Sequence, residues 1–79
     1  MRMFVGNLDF DTSNGDLLDA FARFGDVATA LVMTNSATGE AHGYGFVEMH
    51  DDAQARAALQ ALNGASLRGR ELMVSEKSA

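Results

Sequence analysis

The residue types that could do chemistry in this chain are few, and their spacing argues against catalysis. Asp9 and Asp11 make a D-x-D, but both fall in a polar loop, where such a pair reads as solvated carboxylates. His42 and His50 stand eight positions apart, on and just after a predicted strand, with no third ligand type near them, so no metal site is expected. Cysteine is absent. Ser13, Ser36, Ser66, Ser75 and Ser78 have no histidine partner at local spacing. Gly43-Tyr44-Gly45 is a lone G-x-G, without a third glycine or a following helix start, which excludes a dinucleotide loop. Arg68-Gly69-Arg70 is a basic turn that suits either a solvated hairpin or a phosphate contact. Neither an enzyme nor a cofactor site is expected.

Aromatic stacking is better represented. His42 to Met49 reads as a strand, so alternate side chains take opposite faces. Tyr44, Phe46 and Glu48 share one face, with His42 at its edge; Gly43, Gly45, Val47 and Met49 share the other. Glycines inside a strand mark the close approach of another backbone or element, which makes the Gly/Val/Met side the interior. Near the N-terminus Met3 and Val5 share one face and Phe4 takes the other. Burying Phe4 and Phe46 instead would expose Val5, Val47, Ala30 and Val32 together. The aromatics therefore belong outside, where they would form a platform for unpaired bases.

The elements that must carry this platform follow from pattern. Arg2 to Asn7 is a strand. After a loop to Thr12, Ser13 caps a helix with Asp16 in its first turn; Leu17, Ala20, Phe21 and Phe24 give its buried stripe, and Gly25 stops it. Leu18 falls off the stripe. Val27 to Met33 is a second strand, with Ala30 and Val32 inward and Thr29, Leu31 and Met33 outward. Val27 is out of phase, so a bulge is expected near Ala28. A polar loop from Thr34 to Ala41 leads to the third strand. Asp51 or Asp52 caps a second helix, buried along Ala55, Ala58, Leu59 and Leu62 and ended by Asn63-Gly64. Leu67 to Arg70 is a turn, and Glu71 to Glu76 is the last strand, with Leu72 and Val74 inward and Met73 and Ser75 outward.

Met3-Phe4-Val5-Gly6-Asn7-Leu8 and His42-Gly43-Tyr44-Gly45-Phe46-Val47-Glu48-Met49 together resemble the paired signatures of the RNA recognition motif family. The hexamer fits throughout. In the octamer Gly43 to Val47 fit, while His42 stands for a Lys or Arg and Met49 for an aromatic. The resemblance spans essentially the whole chain, residues 1–79, as one domain, and is similar to the small one-domain bacterial members. It implies an α+β fold, a ferredoxin-like two-layer sandwich of order β-α-β-β-α-β. The four-stranded antiparallel sheet would run fourth-first-third-second, with both helices on one face. It also implies that Phe4 and Tyr44 stack on bases of single-stranded RNA, or single-stranded DNA, and that Phe46 packs against sugar or base. Arg2 and Lys77 are the expected phosphate partners. His42, neutral at pH 7, would gain charge below about pH 6.5. Asn7's position in the family serves the loop.

Composition complicates that expectation. Nearly half of the 79 residues are hydrophobic (47%), which suits a small globular domain. The first strand begins at residue 2 or 3, so no signal peptide is expected, and no apolar run reaches membrane-spanning length. A cytoplasmic location follows by default. Net charge is −5, however, whereas nucleic-acid binders are usually basic. No Lys or Arg lies between Arg23 and Arg56. Leu31 and Met33 join Phe4, Tyr44, Phe46 and Met73 on an unusually apolar face. Such a face suits bases, and equally a protein partner or a second copy of this chain in a homodimer.

Overall fold

The computed structural model of the chain describes residues 1–34, 37–39 and 41–77. Strand β1 spans Arg2–Gly6, helix α1 Asn14–Ala22, β2 Thr29–Thr34, β3 Ala41–Glu48 and helix α2 Asp52–Leu62. A two-residue-by-two-residue hairpin, β4 (Ser66–Leu67) and β5 (Arg70–Glu71), precedes β6, Met73–Glu76. The main sheet is antiparallel in the order β2-β3-β1-β6, the expected two-layer arrangement with the hairpin as a separate pair.

Helix α1 starts where its sequence says it should. Ser13 Oγ accepts from the Asp16 amide at 3.0 Å, and the Ser13 amide donates to Asp16 Oδ2 at 3.1 Å. This reciprocal pair satisfies donors that the first turn cannot pair internally. In α2, Asp51 is the cap and accepts from the Gln54 amide at 2.9 Å. Both helices then lay their apolar stripes on one face of the sheet. Met3, Val5, Leu17, Phe21, Val32, Val47, Met49, Ala55, Ala58, Leu72 and Val74 are buried there. Leu18, off the stripe, is exposed.

Gly45 explains how closely the layers meet. A Cβ at this position would lie 2.6 Å from the Leu31 carbonyl oxygen and 3.2 Å from Leu17 Cδ2. Only glycine leaves room for β2 and α1 at that spacing.

Each edge strand has an amide held by a helix-terminal asparagine. The Val32 amide of β2 donates to Asn14 Oδ1 at 2.7 Å, and the Val74 amide of β6 donates to Asn63 Oδ1 at 3.0 Å. Side chains from the two helices thus occupy donors that an open sheet edge would offer to another strand.

Two details differ from the sequence expectation. The bulge is not near Ala28: pairing with β3 runs unbroken from Thr29 to Val32 and shifts between Val32 and Thr34. Ala28 precedes the strand, its amide donating to the Glu48 carbonyl, so Val27 can pack on the core without obeying strand alternation. The last strand is also divided. The Leu72 amide donates to the Ala65 carbonyl and its own carbonyl accepts from Gly64, which closes Arg70 and Glu71 into the local hairpin. The hairpin turn places Arg68 and Gly69 at φ values of 51° and 80°, the positive pair that suits a two-residue connection.

Candidate functional site

Antiparallel register sets the uncovered face. Leu31 opposes Phe46, Phe46 opposes Phe4, and Phe4 opposes Ser75, making one row across all four strands. One step along, Thr29 opposes Glu48 and Glu48 opposes Arg2. One step the other way, Tyr44 opposes Gly6 and Gly6 opposes Met73. Gly6 has no side chain to separate the rings around it: a Cβ there would lie 2.9 Å from Phe4 Cε1.

The three aromatics form a single cluster. Phe4 and Tyr44 stack, with ring centroids 5.7 Å apart and planes at 28°. Phe46 meets Phe4 edge-on at 5.9 Å and Tyr44 edge-on at 6.0 Å. These separations lie in the favourable range for aromatic pairs, so the rings hold one another in place while half-exposed. Two cations flank Phe46. The Arg2 guanidinium lies 5.8 Å from its centroid and Lys77 Nζ 5.7 Å. Leu31 is 45% exposed and Met73 63%. Arg2, Thr29, Leu31, Met33, Phe46 and Glu48 line a groove along the β2 side of the face.

Of the residues singled out from sequence, Phe4, Tyr44, Phe46, Arg2, Lys77, Leu31 and Met33 thus come together on one surface. The His42 side chain lies outside the described residues. Phe10 was missed. It is 69% exposed in the loop after β1, its ring within 3.9 Å of where a Gly43 side chain would begin. Nothing in the periodicity of the sequence points to it, because a loop residue belongs to no stripe.

The basic turn is already engaged. Arg68 pairs with Asp9 at 3.9 Å and with Asp16 at 3.7 Å. Arg70 donates to Asn7 Oδ1 at 2.6 Å, and Asn7 Nδ2 donates to the Glu71 carbonyl at 2.7 Å. Asn7 itself sits at φ 61°, a conformation asparagine tolerates, and so turns the chain from β1 toward the hairpin. The Ser13 backbone N–H beside Asp16 holds its carboxyl below the ordinary aspartate range, with the Ser13 hydroxyl and Arg68 acting in the same direction.

Among the described residues no group of three or more His, Cys, Asp or Glu side chains could hold a metal ion, and no helix is long and apolar enough to cross a membrane.

Comparison with known proteins agrees with the geometry. The RNA recognition motif family model matches residues 3–73. RbpA of Synechocystis sp. is 43% identical over 76 residues, which cover 96% of this chain and 75% of RbpA. The crystal structure of RNA Binding Protein PG1 superposes with a TM-score of 0.94 at 39% identity, over 98% of this chain and 93% of that one. The RRM of Rna15 with bound RNA (GU) superposes with a TM-score of 0.87 at 28% identity, over 99% and 83% of the two chains. A match that runs from the first strand to the last, with both signature strands side by side at the centre of the sheet, places the protein: the chain belongs to the RNA recognition motif family.

Proposed function

We propose that this chain binds short single-stranded RNA on the uncovered face of its sheet, as one domain over residues 1–79 and without a chemical step. The observation that carries the reading is the aromatic cluster: Phe4, Tyr44 and Phe46 within 6.0 Å of one another on a face that neither helix covers. Each base has a π-face, so Phe4 and Tyr44 stack on successive splayed bases while Phe46 packs against a sugar or base. Arg2 and Lys77, already beside Phe46, supply the cations for adjacent phosphates. The similarity to PG1, named an RNA binding protein, and to the RNA-bound RRM of Rna15 supports the same reading. Single-stranded DNA offers the same π-faces and is the secondary ligand.

The exposure of Leu31 and Met73, with a net charge of −5, favours one rival: a face that pairs with a second copy of the chain. One variant separates them. Leu31→Lys puts a cation beside the bases and a charge into any apolar interface. Oligomer mass and affinity for a mixed-sequence single-stranded RNA pool are measured on wild type and variant together. A monomer throughout, with tighter RNA binding by the variant, is the expected result. A dimer that the substitution dissolves, with no RNA held by either protein, would end the RNA reading.

A further inference from the structure

We propose that the Glu48 carboxylate reads a guanine base of single-stranded RNA, seated in the groove beside Phe46. The inference rests on the RNA-binding reading above and concerns which base the face prefers. Glu48 is half-buried on the uncovered face, one step along β3 from Phe46 and flanked by Arg2 on β1 and Thr29 on β2. Among the described residues no ion pair and no hydrogen bond occupies its carboxylate. The nearest cation on its row, Arg2, has its guanidinium over the Phe46 ring instead. The groove thus has apolar walls in Leu31, Met33 and Phe46, and the Glu48 carboxylate at one end.

A carboxylate at pH 7 only accepts hydrogen bonds. It repels phosphate, so the nucleic-acid backbone cannot lie across it. What it welcomes is a flat, apolar-faced group carrying N–H donors at its edge. Guanine presents two adjacent donors, N1–H and the N2 amino group, which match the two carboxylate oxygens side by side. Its neighbouring O6 is an acceptor, suited to Arg2 or the Thr29 hydroxyl. Uracil presents one N–H between two carbonyls, both of which face the carboxylate with like polarity. Adenine and cytosine each offer one amino group beside a ring acceptor. Guanine is therefore favoured and uracil most disfavoured.

The test uses fluorescence anisotropy with labelled UUGUU, UUAUU, UUCUU and UUUUU on the full chain, wild type and Glu48→Gln, with circular dichroism confirming that both are folded. Wild type should bind UUGUU about tenfold more tightly than UUUUU, the scale of one good two-donor contact. Glu48→Gln should shrink that difference to about twofold, because the amide replaces one acceptor by a donor. Wild type binding all four oligomers alike would overturn the inference and leave the RNA-binding reading standing. So would an equal gain for all four in Glu48→Gln, which would make Glu48 only a repeller of phosphates. Folded wild type binding none of them would overturn the RNA-binding reading, and this inference with it.

Discussion

The two faces of the sheet are written by alternate residues of the same strands, and they have opposite fates. On one, Met3, Val5, Gly45 and Val47 are buried beneath α1 and α2. On the other, Phe4, Tyr44 and Phe46 are half-exposed with Leu31 and Met73 beside them. The uncovered face keeps large apolar side chains as well, set among Arg2, Thr29, Glu48 and Ser75. Hydrophobicity alone therefore does not decide burial; the two helices do, and the crossover handedness puts both on the same side. The covered face holds the fold together, and the other is free to meet a partner.

The sharpest way to break this contrast is to truncate one aromatic from each side. Phe21→Ala should cost about 3–5 kcal/mol of stability, read from chemical denaturation. Phe4→Ala should cost far less stability, yet lower affinity for single-stranded RNA by about 1–3 kcal/mol in a titration of folded protein. Equal losses of stability from the two substitutions would mean that Phe4 is a core residue and the faces are not distinct in kind.

A smaller effect sharpens the reason that only one face is covered. Gly45→Ala places a methyl 2.6 Å from the Leu31 carbonyl oxygen and against Leu17, so strand or helix must give way. A destabilisation of about 1–3 kcal/mol is expected, seen as a lowered denaturation midpoint. A midpoint unchanged from wild type would show that the layers can separate freely and that close approach does not hold α1 to the sheet.

The smallest effect lies at the rim of the covered side. Asp16 has its carboxyl held below the ordinary range, chiefly by the Ser13 backbone N–H. The folded chain thus ionises this group at lower pH than the unfolded chain. Its contribution is complete above the unfolded value, near about pH 4, and is lost as pH falls through the folded one. Melting temperatures of wild type and Asp16→Asn should therefore differ at pH 7 and converge toward pH 2. A gap that widens in acid would reverse the assignment.

Much of this was legible in the chain because it is local and periodic. The alternation around Tyr44 and Phe46 names the two faces once Gly43 and Gly45 mark the inner one. Ser13 and Asp16 announce α1 within four residues, and Asn63-Gly64 closes α2. What was not legible depends on contacts between distant segments. The register break after Val32 falls inside the β2–β3 pairing, which resumes with Thr34 opposite Ala41, and the amide of Val32 is held by Asn14 from another element. The division of the last strand depends on Leu72 pairing back to Ala65 and Gly64. Arg68 could be named as a cation, but not as a partner of Asp9 and Asp16, since the fold alone brings the hairpin against the start of α1. Phe10 had no pattern to belong to.

The engagement of the hairpin arginines has a kinetic consequence. A polyanion approaching a basic protein is drawn in by the long-range field, and its arrival quickens. Here Arg68 faces Asp9 and Asp16, Arg70 is bonded to Asn7, and the whole chain is net negative. Under the binding proposed above, a strand finds this face without long-range attraction, at no more than the range of about 10⁵–10⁷ M⁻¹s⁻¹ typical of association without steering. Selection among strands then falls to residence time. The sequences that matter to such a protein are those whose bases leave slowly, and those that arrive quickly gain nothing.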